Sequence, residues 1–329
     1  MSRIFDIDDF AMASSGSVVR MAQWEHEAHP FYADFGQLAL AVDAITTRAP
    51  LHLSGKSGGG KSHFLNALLF GPPENFEKVR DSLDLPKWDR IACHRIFISS
   101  FEAPSEIWYR TVVKEFSTHD QPQRMLEVLE EAAADRETLH VVWIVESGRG
   151  ITATVQGGLL EIVGQDTIRD PQGKQFDARN VAFVTDSNHQ ANESGDFAIH
   201  ELDQAYGRRW TRRLTFAGLD PEQEARVLRE LAADSTEEQV GQVVALAIAI
   251  RRKHGENALE SVLPPTIDAE LDLLGCLRRL PVDSRQTVFN TLLGHCQDQE
   301  RDEAESIFAE AFGVKVDTDS AAAKAVGVL

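Results

Sequence analysis

The chain has 329 residues, 43% of them hydrophobic and 26% charged, which is ordinary globular usage and argues against collagen-like, disordered or membrane-spanning classes. A formal net charge of −19 repels phosphate backbones, so a broad nucleic-acid surface is not expected. The opening residues are acidic where a secretory leader would need a basic and then an apolar stretch, and this reads as a cytoplasmic protein.

Taken in chain order, residues 1–48 read as helical, richest in apolar residues over 37–44, with residues 1–17 as an arm. Leu51–Ser54 reads as a short strand running into glycines, followed by a helix over His63–Phe70. Ile91–Ser99 reads as a strand and Glu127–Ala134 as a helix. Val141–Val145 and Val181–Thr185 are continuous apolar runs, the pattern of strands buried on both faces. Thr167–Ile168 and Gln175–Phe176 flank a Pro/Gly turn and read as a hairpin. Strands alternating with helices predict a parallel, helix-covered sheet up to about residue 217. Beyond it, Asp220-Pro221-Glu222 opens a helix, and 239–253, 267–279 and 284–297 carry apolar residues at helical spacing, predicting a small bundle. Domain boundaries are placed at 1–35 for an N-terminal extension, 36–217 for the α/β domain, 218–312 for a helical lid and 313–329 for a tail. Cys93, Cys276 and Cys296 are too far apart for a CxxC pair or a zinc set.

Chemistry concentrates in Gly55-Lys56-Ser57-Gly58-Gly59-Gly60-Lys61-Ser62, a full match to the phosphate-binding loop pattern, set between a strand and a helix. Glycines let the backbone turn its amides inward, and the helix that starts near Lys61 and His63 presents its positive end to phosphate. Lys61 is expected to bridge the β- and γ-phosphates of ATP, and Ser62 to ligate Mg²⁺. A phosphoryl-transfer site also needs a carboxylate at the end of a neighbouring strand, and Glu146, after Val141–Val145, supplies a general base for water. Val145 stands where a second, metal-associated Asp is usual, so the metal would lean on Ser62, phosphates and waters. Glu102, Glu106 and Asp186 are the carboxylates to examine as substitutes.

Glu146-Ser-Gly-Arg followed by Gln156-Gly-Gly-Leu-Leu-Glu161 resembles the Walker B segment and following helix of the MoxR branch of AAA+ ATPases, which includes the CbbQ, NirQ and NorQ type. Phe183-Val-Thr-Asp-Ser-Asn188-His189 resembles that family's sensor 1 strand, with His189 replacing a proline. Leu202-Asp-Gln-Ala-Tyr-Gly-Arg208-Arg209-Trp210 is similar to its arginine-finger box, and Leu280-Pro-Val-Asp-Ser-Arg285 to the start of its lid helix. The resemblance, over residues 36–300, implies an AAA+ α/β core with a helical lid, and a ring, hexameric in this branch, that hydrolyses ATP to remodel a partner protein. Such a partner often carries a von Willebrand factor A domain. It also implies that Asn188 orients the attacking water, that Arg209 acts on the neighbouring subunit's γ-phosphate, and that Arg285 is sensor 2. Arg208, Arg212 and Arg213 stay open as alternatives to Arg209, and Arg278 and Arg279 as alternatives to Arg285. Two other functions compete: an ATP-dependent scaffold with slow hydrolysis, motivated by Val145, and a DNA-associated P-loop ATPase of a mobile-element or defence system, which the acidic balance disfavours.

Overall fold

The computed structural model of the protein describes the chain apart from residues 1–2, 26–28, 56–58, 115–116, 146–151, 188–203, 217–218, 257, 260, 263, 280–292, 294–295, 298–299 and 313–329. Contacts divide it into two units, Met1–Gly218 and Leu219–Leu329.

The first unit does not begin with the helix expected over 1–48. Three short strands, β1 (Ile4–Asp6), β2 (Val18–Arg20) and β3 (Tyr32–Asp34), form a small sheet in the order β1-β2-β3. Among the described residues there, only Phe35–Thr46 is α-helical (α1), capped by Asp34, whose side chain accepts from the Gln37 amide at 3.0 Å. Ile4, Val18, Val19 and Tyr32 are β-branched or aromatic, which favours strand. Pairing between segments distant in sequence then decides the matter, and Val19 and Met21 bury completely in the core beside α1.

The main sheet follows. β4 (Leu51–Gly55) leads through the glycine loop into α2 (Lys61–Leu69) and α3 (Glu74–Ser82). β5 (Arg90–Phe97) precedes a polar hairpin, β6 (Tyr109–Lys114) with β7 (Ser117–Pro122), then α4 (Arg124–Ala134). β8 (Thr138–Val145), α5 (Ala153–Leu160) and the hairpin β9 (Thr167–Arg169) with β10 (Gln175–Asp177) come next; the hairpin pairs Ile168 with Phe176. β11 (Val181–Ser187), α6 (Gln204–Arg209) and β12 (Arg212–Phe216) complete the unit. Five strands pair in parallel in the order β12-β4-β11-β8-β5.

Two apolar layers cover this sheet. Leu51, Leu53, Val141, Trp143 and Val184 pack with Leu38, Phe64 and Phe76 on one side. Val142, Ile144 and Phe183 pack with Met125, Leu129 and Leu159 on the other. Burial on both faces is why β8 and β11 read as unbroken apolar runs. The site is placed by the carboxyl ends of β4, β8 and β11, where open α/β sheets bind ligands.

The second unit is helical: α7 (Pro221–Leu231), α8 (Glu237–Gly255), α9 (Ile267–Arg279) and α10 (Arg301–Phe312). Capping boxes start α7 (Asp220 with Gln223) and α8 (Thr236 with Gln239). Leu228, Val243, Leu273 and Phe308 share one core. Arg251 of α8 holds Glu224 of α7 at 2.7 Å and Glu270 of α9 at 2.5 Å, with both carboxylates buried. Burial, and then the Glu224 charge, push the Glu270 carboxyl well above its usual range. The helix expected over 284–297 lies largely outside the described residues. No helix among the described residues is long and apolar enough to cross a membrane.

Candidate nucleotide-binding site

β4 ends at Gly55 with φ +150°, and a Cβ there would lie 2.3 Å from the Phe216 carbonyl oxygen of β12. Only glycine lets the chain turn this close to its neighbouring strand. Gly60 caps α2 in the left-handed region at φ +83°. Between them the loop delivers Lys61 and Ser62 as the first two residues of α2, where amides without intrahelical partners and the helix dipole favour an anion.

Lys61 is 4% exposed, and its Nζ donates to the Gly55 carbonyl at 2.9 Å, folding the ammonium back toward the end of β4. Ser62 Oγ donates to Asp186 Oδ2 at 2.7 Å. The other carboxylate oxygen of Asp186 accepts from Trp143 Nε1 at 2.9 Å. Beyond Trp143, the Arg95 guanidinium lies over the indole at 4.8 Å and over Phe70 at 4.5 Å, and it bonds Asn66 of α2. A continuous line of contacts thus runs from α2 through β5 and β8 to β11 and back to Ser62. His63 stacks on Phe31, with ring centroids 5.8 Å apart.

Of the loop residues expected to cradle phosphate, Gly55, Gly59, Gly60, Lys61, Ser62 and His63 are described, while Ser57 and Gly58 lie outside the described residues, as do Glu146, Asn188 and Arg285. Glu146 and Asn188 directly follow the last residues of β8 and β11 in sequence. Arg208 and Arg209 form the exposed last turn of α6. Arg212 lies 3.7 Å from Asp43, and Arg213 donates to the Gly207 carbonyl.

Among the carboxylates examined as substitutes, Glu106 caps its own turn: backbone amides of Ala103 and Glu102 donate to it and hold its carboxyl below the usual range. Glu102 is exposed. Among the described residues, Asp186 alone of the three bonds a residue of the phosphate-loop pattern, Ser62. Sequence reasoning passed over Trp143 and Arg95, although a tryptophan interrupting an aliphatic strand was a visible signal.

A second polar cluster joins β5, β8 and α4. His94 Nε2 lies 3.0 Å from His140 Nδ1, and Arg124 donates to His94 Nδ1 at 2.8 Å and to Glu131 at 2.8 Å. Burial, and then the charges of Arg124 and His140, bring the His94 imidazole down to about 4. Ligand atoms of His94, Glu131 and His140 lie within 4.8 Å of one another. The Arg124 guanidinium already supplies the cation there, so the group works as a hydrogen-bond chain.

The parallel sheet, its glycine loop and the helical C-terminal unit are consistent with a P-loop AAA+ core followed by a helical region. No protein-family model matches the chain, and no curated protein matches it significantly. Among solved structures the chain is similar to a proposed ATPase from Cytophaga hutchinsonii, at 15% identity over 86% of this chain and 89% of that one, with a TM-score of 0.38. So distant a likeness leaves function to be argued from the residues themselves.

Proposed function

We propose that the protein is an AAA+ ATPase that binds and hydrolyses Mg-ATP and works as a cytoplasmic ring, a hexamer by resemblance to the MoxR branch, to remodel a partner protein of the kind that carries a von Willebrand factor A domain. The observation that carries this reading is the pair of ends that frame the loop: a left-handed Gly60 at the head of α2, and the buried ammonium of Lys61 donating to the Gly55 carbonyl at the end of β4. That donor set fits a polyphosphate, because it offers backbone amides, a helix N-terminus and one point charge, with no carboxylate among the loop residues.

Each residue then has a task. Loop amides and Lys61 bind the β- and γ-phosphates, and Ser62 holds Mg²⁺, which when bound neutralises phosphate charge. Glu146 takes a proton from the attacking water, and Asn188 orients that water from the adjacent strand. By the resemblance Arg209 reaches the γ-phosphate of the neighbouring subunit; its exposure, shared with Arg208, supports this over Arg212 and Arg213, which have partners within their own unit. By the same resemblance, Arg285 is assigned the sensor 2 role.

Calorimetry tests the reading. Lys61→Ala removes one charge-assisted contact, worth about 1.5–3 kcal/mol or roughly 10- to 150-fold in affinity. Far-ultraviolet dichroism should be unchanged. ATP affinity equal to that of the native protein would remove the loop from the function.

A further inference from the structure

The geometry points to Asp186 as the magnesium-associated carboxylate of this site, relocated from β8 to the neighbouring strand β11. The inference rests on the reading of the loop as an Mg-ATP site and assigns the residue that reading lacks. At Val145, where the carboxylate is usual, the side chain is an isopropyl group packed against the apolar layer. It offers no oxygen to a cation.

Strand register shows where the carboxylate went. β11 lies between β4 and β8, and Thr185 pairs with Ile144, so the next step of the same register sets Asp186 beside Val145. On its other side Asp186 pairs with Leu53 of β4, two residues before the loop begins. The acid therefore keeps its level in the sheet and moves one strand closer to the loop. It also keeps its face. Val184, two residues earlier on β11, packs in the layer that holds Trp143 and Leu53, and side chains two apart on a strand point the same way.

Its bonds suit the task. Asp186 is 1% exposed, and its two oxygens accept from Ser62 Oγ and Trp143 Nε1 at 2.7 and 2.9 Å. A hydroxyl has one proton and two lone pairs. With its proton directed to Asp186, Ser62 keeps its lone pairs for a hard cation, which prefers oxygen ligands and retains water that a carboxylate can hold. Trp143 fixes the carboxylate plane, and the Arg95 and Phe70 contacts fix the indole. Trp143 is therefore a positioning residue for the same metal.

The test is ATP binding to the full chain by calorimetry, in excess Mg²⁺ and again in chelator. Asp186→Asn preserves shape and removes charge. It should lose about tenfold or more of the tightening that Mg²⁺ gives the native protein, the scale of outer-shell metal contacts. In chelator its affinity should be equal or higher, because a negative charge near the triphosphate is gone. An equal loss in both conditions, or an unchanged Mg²⁺ effect, would make Asp186 only an anchor for Ser62 and overturn the proposal. Val145→Asp leaves Asp186 in place and covers the case of a misfolded Asn variant. With the position already served, it should tighten Mg²⁺-dependent binding by less than about threefold, and a tenfold gain would contradict the relocation. A native protein that binds no ATP in either condition would remove the loop reading and this inference together, whereas failure confined to the Asp186 and Val145 variants leaves the loop reading standing.

Discussion

Replacing Gly55 by alanine should damage the first unit far more than the same change at Gly60, although the two are equivalent in the loop pattern. At Gly55 a Cβ would sit 2.3 Å from the Phe216 carbonyl oxygen, against roughly 3.3 Å or more for an ordinary carbon–oxygen contact. β12 would have to retreat by about 1 Å. That opens the ladder at the Phe216–Gly55 pair, at about 1 kcal/mol per hydrogen bond, and adds about 1–3 kcal/mol for an L residue held in a glycine conformation. With one bond lost the total is about 2–4 kcal/mol. At Gly60 the nearest atom is the Phe31 ring at 3.4 Å, an ordinary contact, so only the left-handed backbone counts, at about 1–2 kcal/mol. Urea denaturation followed by tryptophan fluorescence reads this unit alone, because Trp24, Trp88, Trp108, Trp143 and Trp210 all lie within it. A Gly55→Ala protein within about 1 kcal/mol of native, or a Gly60→Ala protein that is the weaker of the two, would refute the argument.

The depressed His94 imidazole has a sign that can be checked. Between the ordinary histidine value of 6.5 and about 4 the unfolded chain binds the proton and the folded one does not, so stability is full above 6.5 and falls as pH drops toward 4. The shift corresponds to ~3 kcal/mol before solvent screening and ~1–2 kcal/mol after it. A His94→Gln protein should show a flatter fluorescence-detected stability profile over that window, and an identical slope would reject the assignment. In the helical unit, Arg251→Met strips the shared cation from the buried Glu224 and Glu270. It should cost about 3–5 kcal/mol, read as faster amide exchange in α7, α8 and α9, and unaltered exchange would contradict it.

The sequence made visible those parts of the fold whose cause is local. The glycine loop carries its own punctuation, β8 and β11 announce burial on both faces, and Asp220-Pro221 marks a helix start by cap chemistry alone. Parts decided by distant pairing were hidden. β1, β2 and β3 are three residues each, too short to show alternation, so the apolar spacing around α1 was read across them. β6 pairs with β7, and Ser117–Pro122 of β7 is exposed throughout with no apolar face to display. β12 alternates at Leu214 and Phe216, but arginines fill its start, as suits a strand at the sheet edge. Asp186 was visible only as a residue to examine, since its place beside Val145 and over Ser62 depends on register between strands about forty residues apart in sequence.

The ring ATPase account is tested most directly by mixing two inactive subunits. Arg209→Ala should bind ATP almost normally yet lose hydrolysis, and Glu146→Gln should bind and hold ATP without turning it over. Each alone should be silent in a phosphate-release assay with saturating Mg-ATP, a loss of orders of magnitude. Combined in equal amounts, they should regain partial turnover, because a mixed interface pairs an intact Arg209 with an intact Glu146. No recovery on mixing, with the native protein monomeric by light scattering under saturating Mg-ATP and still hydrolysing at its full rate, would contradict the account.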